Sequence, residues 1–76
     1  MPELPVLNGK ETVSALLRGG FERRRNSGGH AILKHPVAGV TVPVPMHGGR
    51  DLREGTLRGI IRQAGLTVEE FLELLK

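Results

Sequence analysis

The chain has 76 residues, enough for one compact domain over residues 1–76, and it contains no cysteine, which excludes disulfides, zinc–thiolate sites and a thiol nucleophile. Its aromatic residues are two phenylalanines, so recognition of single-stranded nucleic acid by stacked aromatic side chains is a poor fit. The net charge is +3, no apolar run approaches the roughly 18 residues of a membrane span, and the N-terminus lacks a signal-peptide pattern, so we expect a cytoplasmic protein without a membrane partner.

The first predicted element is a helix in the stretch LNGKETVSALLRGGF. Asn8 and Glu11 have the spacing of a capping box at its start, and the glycine pair 19–20 supplies a stop. The apolar stripe expected to face the core consists of Val13, Leu16 and Leu17.

Three short strands are predicted next, in FERRRN, HAILKH and GVTVPVP, with turns at SGG and PVAG between them. In the third strand, valines 40, 42 and 44 alternate with other residues and give one apolar face. Pro43 cannot donate a hydrogen bond to a neighbouring strand, so we expect this strand to lie at a sheet edge.

Two helices close the chain after a loop in MHGGRDLREG. The first has an apolar stripe of Leu57, Ile60, Ile61 and Ala64, and Gly65 ends it. The second begins with a capping box of Thr67 and Glu70, and its expected stripe is Val68, Phe71, Leu72 and Leu75. The order predicts an α+β fold, a two-layer sandwich with helices on one face of an antiparallel sheet and the other face open.

Positive charge is concentrated in the middle of the chain. Residues 18–62 contain nine basic and three acidic side chains, a local balance of 9 − 3 = +6. Most of the basic residues are arginine, whose planar fork matches a phosphate with two hydrogen bonds. The pattern indicates a polyanion as partner, with an ordinary solvated surface as the alternative.

His30 follows two glycines in NSGGHAILKHP and is the candidate acid or base, because imidazole exchanges protons near neutral pH. The alternative is a surface histidine that starts a strand after a hairpin turn. The three histidines do not predict a metal site, since positions 30 and 35 of a regular strand point to opposite faces and no carboxylate has ligand spacing.

Two basic groups are candidate phosphate ligands. Arg23, Arg24 and Arg25 precede the glycine turn, where they either hold phosphate or protect a solvated sheet edge. Thr56 is expected to cap the first of the two closing helices, whose N-terminus attracts anions, with Arg58 and Arg62 on its polar face. No P-loop is present.

Taken in order, these segments resemble the HicA family, the small endoribonuclease toxins of toxin–antitoxin pairs. The segments that carry the resemblance lie between residues 4 and 75: LPVLNGKETVSALLRGGFE, GGHAILKHP, VTVPVPMHGGRDL and GTLRGIIRQAGLTVEEFLELL.

The resemblance implies a fold like that of double-stranded-RNA-binding domains, α-β-β-β-α, here with an extra C-terminal helix. It further implies cleavage of mRNA without metal or other cofactor by one catalytic histidine, which maps onto His30, and a HicB-type antitoxin that covers the site. The residues then expected to hold RNA are Arg23, Arg24, Arg25, Gly28, Gly29, Lys34, Thr56, Arg58 and Arg62. Two departures are Gly29, where many members carry serine, and RRRNS in place of a shorter Arg-Gln type stretch.

Two other functions fit the same residues. One is a non-catalytic RNA-binding module of this fold, in which His30 only contacts a phosphate or a 2′-OH. The other is a protein-interaction domain whose basic face binds an acidic protein.

Overall fold

The computed structural model describes residues 3–76, and its element order matches the predicted one. The elements are α1 (Gly9–Arg18), β1 (Glu22–Ser27), β2 (His30–Lys34), β3 (Thr41–Pro45), α2 (Glu54–Gln63) and α3 (Val68–Leu74). The strands form an antiparallel sheet in the order β1-β2-β3. This arrangement confirms the α+β prediction and the edge position of the strand that contains Pro43.

The register of the sheet determines which residues lie beside His30. On one side His30 is opposite Ser27 of β1, and on the other it is opposite Pro45 of β3. The β1–β2 pairing shifts at a bulge between Arg23 and Arg25, so residues on either side of the bulge do not keep the regular alternation.

The two faces of the sheet differ in burial because successive strand residues point to opposite sides. Ala31 and Leu33 of β2 are fully buried against the helices, together with Val42 and Val44 of β3. The helices complete this core mainly with Leu16, Leu57, Ile60, Ile61 and Phe71. The opposite face has Ile32 near its centre, and no helix formed within residues 3–76 covers it, as predicted.

Both predicted capping boxes are present. The Asn8 side chain accepts a hydrogen bond from the Glu11 N–H at 2.8 Å, and Glu11 accepts one from the Asn8 N–H at 3.0 Å. The corresponding pair at α3 is Thr67 and Glu70, with distances of 3.0 and 2.8 Å. These caps satisfy helix N–H groups that have no partner inside the helix.

Two details of the helix predictions are wrong, and a third is only partly confirmed. Leu17 is 45% exposed, and the buried face of α1 instead includes Thr12 and Ala15. Thr56 does not cap α2: the helix begins at Glu54, its N-cap is Arg53, and no side chain caps it. The predicted stripe of α3 is only partly buried, with Phe71 in the core and the other members half-buried.

The loop between β3 and α2 is held against the chain that enters α1. The Leu52 N–H donates to the Leu7 carbonyl at 2.7 Å, and Asn8 and Asp51 form an isolated antiparallel bridge. This attachment fixes the loop at the end of the sheet where His30 lies. Within residues 3–76, no helix has both the length and the apolar character needed to cross a bilayer.

Candidate functional site

A tight hairpin turn places His30 at the start of the central strand. The two residues between β1 and β2 are Gly28 and Gly29, with φ angles of 54° and 82°. Two successive positive φ values give the turn a twist that matches the flanking strands, and glycine adopts them without the strain of a side chain. The backbone at this turn is therefore exposed and free of Cβ atoms.

The ring of His30 is half-buried and has a defined contact. Its Nδ1 atom lies 3.3 Å from the Gly28 carbonyl oxygen. A carbonyl oxygen only accepts hydrogen bonds, so Nδ1 carries the hydrogen in this contact. In the neutral ring, the lone pair is then on Nε2, which is the nitrogen available to take a proton from another molecule.

A second histidine, His47, lies against His30. Their ring centroids are 5.8 Å apart and the ring planes meet at 80°. The backbone sets this arrangement, because the Met46 N–H donates to the Gly29 carbonyl at 2.9 Å. Met46 and Gly29 directly precede the two histidines, so one hydrogen bond joins the segments that carry the rings.

A cavity of about 300 Å³ opens beside His47 and is rich in cationic groups. Its walls include the side chains of Arg50, Asp51, Arg53 and Thr56, together with Pro45 and Leu52. Arg50 and Arg53 are exposed. Thr56 thus lines the same cavity as His47, although its predicted role as a helix cap is wrong.

The open face of the sheet carries a second basic region. A shallow depression of about 370 Å³ is lined by Arg24, Arg25, Ile32, Lys34 and Thr41. Arg25 lies opposite Ile32 in the register, and Ile32 is two residues after His30 in β2. Arg24 forms an exposed ion pair with Glu22 at 3.1 Å.

The three consecutive arginines do not act as one group, because the bulge at Arg24 separates them. Arg23 lies opposite Leu33, which points to the helix-covered side, and its guanidinium donates to the Asn26 side chain at 2.9 Å. Arg25 and Arg24 line the depression on the open face instead. The predicted cluster of Arg23, Arg24 and Arg25 is therefore divided between two sides of β1.

The basic residues of α2 occupy a different surface from the histidine pair. Arg58 forms an ion pair with Glu54 at 3.3 Å. Arg58 and Arg62 line a cavity with Leu66 and Thr67 at the α2–α3 corner, whereas Thr56 lines the cavity beside His47.

His35 has a role in local structure. Its Nδ1 accepts hydrogen bonds from the N–H groups of Val37 and Ala38 at 3.2 and 3.1 Å. Its ring also packs edge-on against the ring of Phe21, with 5.1 Å between the two ring centroids. Among residues 3–76, no group of three or more histidine, aspartate or glutamate side chains is arranged to hold a metal ion.

Sequence reasoning missed the place of His47, Arg50 and Arg53 in this region. A signal was present, because GGH opens the second strand and HGG follows the third. In an antiparallel hairpin, the start of the first strand and the end of the second lie side by side at the same end of the sheet. This symmetry could have placed the two histidines together.

Comparison with known proteins gives one family. A family model described as the HicA toxin of bacterial toxin–antitoxin systems matches residues 9–66, more than half of the chain. The matched range includes His30 and His47, the open face of the sheet and the whole of α2. No curated protein matches the chain.

Proposed function

The chain belongs to the HicA toxin family of bacterial toxin–antitoxin systems, and from that premise we propose that it is a cytoplasmic endoribonuclease that cuts mRNA with His30 as its catalytic acid or base. A HicB-type antitoxin neutralises it. The observation that supports this proposal best is His30 itself: a half-buried imidazole with Nδ1 directed at the Gly28 carbonyl and Nε2 available, beside a basic, helix-free sheet face.

The reaction needs little from the protein because RNA contains its own nucleophile. The 2′-OH must lose a proton as it attacks phosphorus, the negative phosphorane must be stabilised, and the departing 5′ oxygen must gain a proton. Imidazole transfers protons near neutral pH and guanidinium groups stabilise the phosphorane. This chemistry does not require a metal ion.

The hairpin glycines and the open face provide room and charge for the RNA backbone. Gly28 and Gly29 leave the turn without side chains, so a phosphate approaches the backbone beside His30 closely. Arg25 and Lys34 line the same depression and extend positive charge along β2. We assign them to the phosphates that flank the cut.

The test is an incubation of labelled RNA with the purified protein, with and without EDTA. We expect cleavage that persists in EDTA and leaves a 2′,3′-cyclic phosphate or 3′-phosphate. His30→Ala should cleave about 10²- to 10⁴-fold more slowly, the usual contribution of an acid or base. Its free energy of unfolding should fall by about 1 kcal/mol or less, since the half-buried ring lies outside the hydrophobic core.

A matched control is His35→Gln, which removes a histidine that follows the other end of β2 and packs on Phe21. This variant should cut RNA at the normal rate per folded molecule. RNA that is retained without being cut would identify a non-catalytic binding module. If RNA is neither cut nor retained, the remaining function is that of a protein-interaction domain.

The antitoxin is proposed to occupy the same surface as RNA. An acidic covering surface would match the positive charge on the open face and beside His47. Induced expression of the chain should halt growth, and co-expression of the antitoxin should restore it. Added antitoxin should also displace RNA from the protein, and simultaneous binding of both would contradict a shared surface.

A further inference from the structure

RNA cleavage moves two protons, and the proposed function assigns only one imidazole to them. The base takes a proton from the 2′-OH, and an acid gives one to the departing 5′ oxygen. A second proton-transferring group on the same phosphodiester would serve both steps at once.

His47 has the position that this role requires. The two rings meet edge to face with centroids 5.8 Å apart, so a phosphodiester that lies beside the pair can be within hydrogen-bond reach of a nitrogen of each ring, a reach of about 2.6–3.2 Å. The His47 side chain is exposed, so substrate has access to it.

Backbone hydrogen bonds hold together the two segments that carry the rings. The hydrogen bond from the Met46 N–H to the Gly29 carbonyl joins the residues that precede them. Beyond His47 the chain turns back on itself, with the Gly48 N–H donating to the Met46 carbonyl at 2.7 Å and the Arg50 N–H donating to the His47 carbonyl at 2.9 Å.

The charge next to His47 also suits an attacked phosphate. Arg50 and Arg53 line the cavity that His47 borders. Guanidinium groups there would stabilise the negative charge that builds up on phosphorus while the imidazole delivers its proton. Asp51 borders the same cavity, and two arginines outweigh its single negative charge.

We propose that His47 is the second catalytic residue and acts as the general acid, with His30 as the general base. This assignment rests on the proposed ribonuclease function. The Nδ1 contact of His30 fits a neutral ring whose Nε2 accepts a proton, so we give His30 the role of the base and His47 that of the acid.

In the step, Nε2 of His30 takes the proton of the 2′-OH and the 2′ oxygen bonds to phosphorus. The bond from phosphorus to the 5′ oxygen breaks, and that oxygen takes a proton from the protonated His47 ring. The products are a 2′,3′-cyclic phosphate and a 5′-OH, and proton exchange with water then resets both rings.

The test compares two short RNAs that share a bond the unaltered protein cuts. In one the leaving atom is the normal 5′ oxygen, and in the other it is sulfur. A thiolate leaves without being protonated, so the loss of a general acid slows cleavage of the first RNA and not of the second. A base is needed for both RNAs.

We expect His47→Ala and His47→Gln to cut the oxygen RNA about 10²- to 10⁴-fold more slowly and the sulfur RNA within about tenfold of the unaltered protein. His30→Ala should be slow on both. His35→Gln should match the unaltered protein on both per folded molecule. The glutamine variant keeps a polar side chain of similar reach, so it guards against misfolding of the alanine variant.

Equal loss on both RNAs in the folded His47 variants would overturn the proposal and leave His47 as a residue that packs or positions the site. Full activity on the oxygen RNA would remove it from the reaction. If His30→Ala cuts the sulfur RNA at nearly the normal rate, the assignment of acid and base would be overturned. If the unaltered protein cuts neither RNA, the ribonuclease function itself fails, which is a separate outcome.

Discussion

The two faces of β2 show how one five-residue strand serves both the core and the candidate site. Ala31 and Leu33 point to the helices and are fully buried, whereas His30, Ile32 and Lys34 point to the open face. The alternation of a strand therefore separates residues that stabilise the fold from residues that meet a ligand. Changes at neighbouring positions should affect different properties.

The largest effect on stability is expected at the covered face. Leu33→Ala should lower the free energy of unfolding by about 2–5 kcal/mol, because it removes a fully buried side chain and leaves a cavity. Ile32→Ala, one position away on the open face, should cost clearly less. Urea denaturation of both variants measures the difference, and equal losses would mean that the open face is covered in solution.

An intermediate effect is expected for RNA affinity when the two sides of β1 are compared. Arg25 lines the depression on the open face, whereas Arg23 is bound to Asn26 on the other side of the bulge. Arg25→Ala should weaken binding and reduce the slope of log K against log salt by about 1, the value for one lost phosphate contact.

Arg23→Ala serves as the matched control for that measurement, since it removes the same charge from the same strand. It should leave the salt slope nearly unchanged. Binding should be measured with 2′-O-methyl RNA, which has no free 2′-OH and is not cut. Equal slopes in the two variants would show that RNA does not distinguish the faces of β1.

The smallest effect is expected at the rim of the open face, where Glu22 pairs with Arg24. Both side chains are more than half exposed, so Glu22→Gln should change stability by about 0.5 kcal/mol or less. It should raise RNA affinity slightly at low salt, because it removes a negative charge and frees a guanidinium group. Weaker RNA binding would indicate that the ion pair positions Arg24.

Local signals in the sequence were sufficient for most of the fold. The capping boxes at Asn8 and Thr67 join residues three positions apart, so no tertiary information was needed to find them. Leu17 was assigned to the core wrongly, because the packing of α1 on the sheet and α3 decides which side of the stripe is buried. Thr56 failed as a cap because α2 starts earlier, at Glu54.

The candidate site depends more on long-range geometry. His30 was found from the residues around it, but the proximity of His47 depends on the β2–β3 register and on the loop that follows β3. The division of Arg23 from Arg25 depends on a bulge that no sequence pattern marked. Sequence therefore located His30 and the arginines of β1, but it missed the place of His47 and grouped the arginines wrongly.

Assignment of the open face to RNA is tested most directly by nuclear magnetic resonance with 2′-O-methyl RNA. The signals to follow are the ring of His30 and the methyl groups of Ile32 and Leu33, which report the two faces of one strand. We expect RNA to shift the signals of His30 and Ile32 strongly and to leave Leu33 nearly unchanged. Unchanged signals from His30 and Ile32, with the largest shifts on the exposed side of α1 around Leu17, would contradict the assignment.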